Sequence, residues 1–161
     1  MIRPINPDSP SEVELVATRM RLTLIEVLGE EVGGSMYTMQ WLVERVRWHL
    51  DPAHCIGTVL LAEDETGAIL GHTILRVQSD DEVGEHGLFS TFYVDPAHRG
   101  KGVATAFVRA GEAWMRDQGM KQAMTYTATN NSRLRNLMES QGYGPILEKN
   151  DMVVLAKQLA S

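Results

Sequence analysis

A single cysteine, Cys55, stands in the whole chain. That excludes an internal disulfide and leaves no thiolate framework for a metal, so no metal site is expected. Cys55 reads as a small buried hydrophobe. No apolar run approaches the ~20 residues that a membrane span needs. The opening stretch MIRPINPDSP lacks the basic-then-apolar pattern of a secretory signal. These absences together lead to the expectation of a cytoplasmic protein with no membrane partner. Basic charge is also in deficit. The formal net charge is −6, which argues against general nucleic-acid binding and fits a cationic acceptor better. There is no internal repeat, no low-complexity tract and no long linker. The 161 residues suit one domain with a real core, so a single domain over residues 1–161 is expected.

What is present reads as alternating elements. MIRPIN forms a short first strand. Ser9 is a helix cap, Pro10 the first helical position and Glu12 the third residue after the cap. This helix runs to about Leu28, and Gly33 and Gly34 break the chain. A second helix spans about Met36 to Leu50, with Met39, Val43, Val46 and Leu50 on one face, and ends at Asp51-Pro52. Residues 56–77 read as two strands around a turn at Glu65-Thr66-Gly67, and 85–94 as a third. A helix follows from about Gly102 to Gln118, carrying Val103, Phe107, Ala110 and Trp114 on its inner face. KQAMTYTAT is a strand. The helix from Asn131 turns Leu134, Leu137 and Met138 inward and stops at Gly142. Two strands around Asn150 close the chain. The order β-α-α-β-β-β-α-β-α-β-β describes an α/β fold with a mixed sheet.

The stretch DPAHRGKGVATAF, residues 95–107, carries the strongest local signal. A strand ends at Val94, a glycine-bearing turn follows, and a helix begins at once. Amides at such a helix start lack intrahelical acceptors and point at whatever lies beyond. His98, Arg99 and Lys101 add positive charge. The pattern is an anion cradle, most simply for a pyrophosphate. It is not a Walker loop, because the four residues between glycines are missing. Nor is it a dinucleotide fingerprint. Thr105 stands where the third glycine belongs, and Lys121 and Gln122 occupy the region of the acidic partner.

Arg99-Gly100-Lys101-Gly102-Val103-Ala104 matches Arg/Gln-x-x-Gly-x-Gly/Ala after a strand ending Val94-Asp95-Pro96. Asn131 opens a later helix that ends in Gly142-Tyr143. This set resembles the GNAT superfamily of acetyl-CoA-dependent N-acetyltransferases, in element order over nearly the whole chain and in motif detail over residues 88–143. The resemblance implies a splayed central sheet that binds coenzyme A. It implies that the loop from Arg99 through Gly100, Lys101, Gly102, Val103, Ala104 and Thr105 holds the pyrophosphate. Phe92, Tyr93 and Val94 would flank pantetheine, with Val94 offering backbone hydrogen bonds and an N–H for the thioester oxygen. Asn131 would touch the cofactor arm from the other side. Arg133 and Arg135 would either reach the adenosine phosphates or sit as solvated surface charge.

The chemistry implied is direct attack of a primary amine on the thioester in a ternary complex. An alkyl ammonium with a pKa near ~10 must first lose a proton. Relatives often carry a glutamate base at the position of Leu88 and a tyrosine acid at that of Met138, and neither side chain can serve. His86 and Glu85 are the candidate bases, with Ser90 placed to order a water. Tyr126 and Tyr143 are substitute acids. On the acceptor side Tyr37, Trp41 and Trp48 recur at near-helical spacing, as a wall of the amine site or as core, and Glu30 and Glu31 could draw in a cation.

The expected activity is an acyltransferase: an N-acetyltransferase acting on a small-molecule or peptide amine. The alternatives are a protein N-terminal or lysine acetyltransferase, and a catalytically weak coenzyme A-binding regulator. The partners expected are acetyl-CoA and an amine acceptor, with no nucleic acid. A second copy of the chain, in a homodimer, is a further candidate.

Overall fold

The structure is a computed structural model and describes residues 1–160. Strand β1 (Ile2–Pro4) leads into helices α1 (Pro10–Leu28), α2 (Glu30–Ser35) and α3 (Met39–Leu50). Strands β2 (Gly57–Glu63), β3 (Ile69–Asp80) and β4 (Gly84–Val94) follow as a meander. A single 3-10 turn at Pro96–His98 precedes α4 (Val103–Asp117), β5 (Gln122–Ala128) and α5 (Ser132–Ser140). The hairpin of β6 (Gly144–Lys149) and β7 (Met152–Gln158) ends the fold. The seven strands form one sheet in the order β1-β2-β3-β4-β5-β7-β6. Among the described residues only β4 and β5 run parallel. No helix among the described residues is long and apolar enough to cross a membrane.

Local chemistry sets the helix ends. Ser9 Oγ accepts the Glu12 amide at 3.3 Å, as a cap should. Glu12 does not return to the cap; its carboxylate takes the Asn6 amide at 2.9 Å and the Arg3 guanidinium. The double glycine does not break the chain as expected. It lies inside α2, and a Cβ on Gly33 would run into the Leu24 carbonyl. Gly33 is there for the close approach of α2 to α1, not for a turn. Helix α3 starts later than Met36, because Thr38 Oγ1 caps the Trp41 amide at 3.0 Å. Asn150 and Asp151 both have positive φ, which gives the β6–β7 hairpin its tight two-residue turn.

The sheet has a core on each face. Val13, Val16, Leu42, Val46, Leu61 and Ile74 pack under α1 and α3. Leu75, Phe89, Phe107, Met115, Met138 and Tyr143 pack under α4 and α5. Ile74 and Leu75 are neighbours in β3 and enter opposite cores, as strand alternation requires. Opposite them the register shifts. Leu75 faces Phe89 and Ile74 faces Thr91, so Ser90 is the extra residue of a β-bulge. Such a bulge bends its strand.

Candidate active site

Strands β4 and β5 pair at only three rungs, Gly87–Ala123, Leu88–Met124 and Phe89–Thr125. At the last rung Thr125 Oγ1 donates to the Phe89 carbonyl at 3.0 Å. The bulge at Ser90 comes directly after it, and from there the strands diverge around a cavity of about 650 Å³. Ser90 to Val94 form one wall, and Thr125, Tyr126 and Thr127 form the other. The gap is long and lined by backbone that has lost its ladder partner. It suits an extended, polar-edged chain.

One end of the cavity is the glycine turn. Gly100 and Gly102 have φ of +78° and +86°, and no atom lies within 4 Å of a Cβ built on either. Gly102 is the cap residue of α4, and no side chain caps the helix. The first-turn amides of Val103, Ala104 and Thr105 therefore open into the cavity without intrahelical acceptors. Arg99 Nε donates to the Val94 carbonyl at 3.0 Å, which ties the turn to the strand. Its two terminal nitrogens reach both oxygens of Glu26 at 2.9 Å each. Arg133 joins Glu26 at 3.2 Å. The Arg99 hydrogen bonds hold the Glu26 carboxyl below its usual pKa.

Ten of the eleven residues assigned to coenzyme A from the sequence line this cavity: Phe92, Tyr93, Val94, Arg99, Gly100, Gly102, Val103, Ala104, Thr105 and Asn131. Lys101 does not; it is exposed at the tip of the turn. Asn131 lines it with both side-chain groups engaged, Oδ1 accepting the Leu134 amide at 3.3 Å and Nδ2 donating to Thr127 Oγ1 at 2.9 Å. Arg135 donates to the Thr129 carbonyl at 2.8 Å instead of facing the cavity.

The acid–base candidates fall elsewhere. His86 is buried in β4 and lines neither this cavity nor the smaller one beside it. Its Nδ1 lies 2.9 Å from the Gly84 carbonyl and its Nε2 3.4 Å from Gln78 Nε2. That arrangement makes Nδ1 the donor and turns the Nε2 lone pair toward Gln78. Burial lowers its pKa. Glu85 is exposed at the start of β4, far along the strand from the splay, and lines neither of these two cavities. Met138 is fully buried in the core and is likewise outside the cavity. Tyr143 donates to Glu112 at 2.6 Å, and burial followed by that carboxylate raises its pKa. Tyr126 does line the cavity. Its hydroxyl is buried and meets hydrogen-bond geometry with no group, Gln78 included, and burial raises its pKa.

A second cavity of about 200 Å³ adjoins the first and shares Thr23, Ser90 and Thr91 with it. Tyr37 and Trp41 line it with rings stacked at 4.1 Å. Trp48 does not line it. The row continues instead through Arg45 and His49. Residues 37, 41, 45 and 49 are four apart, a spacing visible in the sequence that picking aromatics alone passed over. Glu30 and Glu31 are exposed on α2 and outside this pocket.

The sequence profile of the Acetyltransferase (GNAT) family matches residues 23–143. The chain belongs to this family. A mycothiol acetyltransferase of Propionibacterium freudenreichii subsp. shermanii is 31% identical over 88 residues, 55% of this chain. That match spans only 28% of the relative's length. The PaiA N-acetyltransferase of Thermoplasma acidophilum, solved in complex with coenzyme A, aligns over 98% of both chains with a TM-score of 0.74 at 13% identity. A GNAT-family acetyltransferase of Streptococcus pneumoniae aligns over 99% of both chains, with a TM-score of 0.71 at 17% identity. The fold is therefore the GNAT fold, and the family is one of acyltransferases.

Proposed function

We propose that this chain is an N-acetyltransferase that moves an acetyl group from acetyl-CoA to an amine in a ternary complex. The observation that carries this reading is the splay after Phe89 and Thr125, with an uncapped helix N-terminus at one end and a second pocket at its side. The residues fit coenzyme A. The open space over Gly100 and Gly102 leaves room for a pyrophosphate against the first amides of α4. Arg99 and Arg133 supply the positive charge beside it. Ser90 to Val94 offer free strand edge to pantetheine. Acetyl-CoA, when bound, supplies an activated thioester, whose C–S bond breaks as the new C–N bond forms.

The chain's residues orient the two reactants and exclude bulk water. The shared wall of Thr23, Ser90 and Thr91 is where an amine from the smaller pocket meets the larger cavity. An N–H on the splayed edge of β4 would donate to the oxygen that gains charge. Tyr126 is the phenol we assign as proton donor to the departing thiolate: the residue is on the cavity wall, and its hydroxyl, buried and without a partner among the described residues, has to turn into the cavity to donate. With a thiol pKa near ~8.5, that donor assists departure rather than enabling it. The acceptor is a small molecule or a peptide end. The pocket of about 200 Å³ favours the former.

Calorimetry with coenzyme A, paired with a thiol-release assay over a panel of primary amines, tests the reading. It expects one-to-one binding and acetyl transfer to at least one amine. Binding without transfer to any amine would favour the regulatory alternative, and no binding would overturn the reading.

A further inference from the structure

The smaller pocket has an unusual charge balance. Arg45 lines it and makes no side-chain hydrogen bond and no ion pair among the described residues. Its guanidinium lies over the Trp48 ring at 4.2 Å from the centroid. One layer below, half-buried Arg76 spends its donors on neutral groups only. It reaches His49 Nε2 at 3.0 Å, Ser90 Oγ at 3.2 Å and Gln78 Oε1 at 2.9 Å. No carboxylate lies within ion-pair distance of either arginine among the described residues.

His49 does not offset this charge. Its Nδ1 lies 2.9 Å from the Arg45 carbonyl, so Nδ1–H donates there and the Nε2 lone pair receives Arg76. Burial, then the adjacent arginines, push its pKa down to about 4, which keeps the ring neutral. Half-buried Arg76 is thus desolvated beside the charge of Arg45, and neither guanidinium has a carboxylate partner among the described residues. No Asp or Glu lines this pocket. Glu26, the nearest acid along α1, is held by Arg99 and Arg133 at the larger cavity.

We propose that the acceptor amine carries a carboxylate, which Arg45 binds, with Arg76 behind it. The acceptor is then of the amino-acid type. Its carboxylate meets the fork of Arg45, its apolar side chain lies on the Tyr37–Trp41 stack, and its amine faces Ser90 and Thr91. The overall charge of −6 points toward a cationic acceptor, but the charge local to the pocket has the opposite sign. This inference rests on the acetyltransferase reading for its amine, and on the pocket alone for its carboxylate.

The two are separable by experiment. Turnover is compared for L-phenylalanine, L-phenylalaninamide and phenethylamine, which share a ring and an amine and differ in the carboxylate. Tryptophan fluorescence then follows binding of N-acetyl-L-phenylalanine and its amide in the presence of coenzyme A. The expected result is a preference of roughly 10- to 100-fold for the carboxylate forms in kcat/KM and in affinity, the size of a charged hydrogen-bonded contact. Arg45→Gln should remove the preference through KM. Arg45→Lys should keep part of it, and Arg47→Gln, on the exposed side of α3, should keep all of it. Carboxylate-selective binding without turnover would keep this inference and overturn the acetyltransferase reading. Turnover of phenethylamine at least as fast as of phenylalanine would do the reverse. Equal affinity for N-acetyl-L-phenylalanine and its amide would also overturn the inference.

Discussion

Glu26 grips Arg99 with both carboxylate oxygens at 2.9 Å, from a helix 73 residues earlier in the chain. The same carboxylate reaches Arg133 on α5, so one acid bridges both basic residues at the cavity mouth. A carboxylate and a phosphate compete for the same guanidinium fork. Glu26 therefore occupies the guanidinium groups that a phosphate would need. Glu26→Gln is expected to tighten coenzyme A binding severalfold at low ionic strength and to steepen its salt dependence, since both arginines then pair with the ligand alone. Calorimetry at two salt concentrations measures this, and weaker binding in the variant would mean that Glu26 positions Arg99 instead of competing for it.

The glycine turn gives a graded test. Gly102 has φ of +86° with open space around its Cβ position, so a side chain there meets strain but no clash. Gly102→Ala should cost about 1–2 kcal/mol of stability from the left-handed backbone and weaken coenzyme A binding modestly. Gly102→Glu adds a carboxylate beside the proposed pyrophosphate and should abolish binding. If both variants bind coenzyme A like the parent, the cradle lies elsewhere.

The glycine turn and the element order, apart from the short extra helix α2, were legible because they depend on local chemistry. Ser9 as a cap, Pro10 at the first helical position, and Gly67 and Gly142 with positive φ each mark an end that the sequence announces. The acid–base placements were not legible. His86 and Ser90 share a face by simple alternation, but the splay begins only at Phe89, so the earlier residue never reaches the cavity. Gly33 misled because glycine serves close helix contact as readily as a break. Arg76 comes to lie behind the pocket that Arg45 lines only once α3 packs on β3 and His49 meets Arg76, a long-range packing that no local spacing reveals.

Met138 is fully buried beside the core, so a tyrosine there would not become the missing acid. Met138→Tyr is expected to lose about 1–3 kcal/mol to overpacking, with no gain in kcat. Tyr126→Phe should instead lower kcat by roughly 10²-fold, the low end for a positioned proton donor, while acetyl-CoA affinity stays constant. Glu85→Gln should leave the acidic limb of the rate–pH curve unchanged, because that side chain is exposed away from both cavities. A Tyr126→Phe enzyme with unaltered kcat would return the proton to water.

Stability should depend on pH through the buried histidines, His72 and His49 first, with His86 shifted in the same direction by burial. His72 is buried on β3, its ring stacked against Tyr93 at 5.9 Å, and neither ring nitrogen has a partner. Burial, with Arg19 beside it, pushes its pKa down to about 3. His49 lies at about 4 through burial and its arginine neighbours. Unfolded, each returns to about 6.5. Between the folded and unfolded values the unfolded chain binds more protons, so stability rises with pH there. It is complete above about 6.5 and falls as pH drops toward 4 and then 3, at a cost on the order of a few kcal/mol per ring. Urea unfolding between pH 7 and 5 isolates the histidines, since the lowered carboxyls of Glu12 and Glu26 titrate further down. His72→Phe keeps the ring against Tyr93 and leaves no nitrogen to charge. Its unfolding midpoint should change less between pH 7 and 5 than that of the parent, with stability at pH 7 equal or higher. The same pH slope in both proteins would mean that the folded chain admits a proton, or water, to His72.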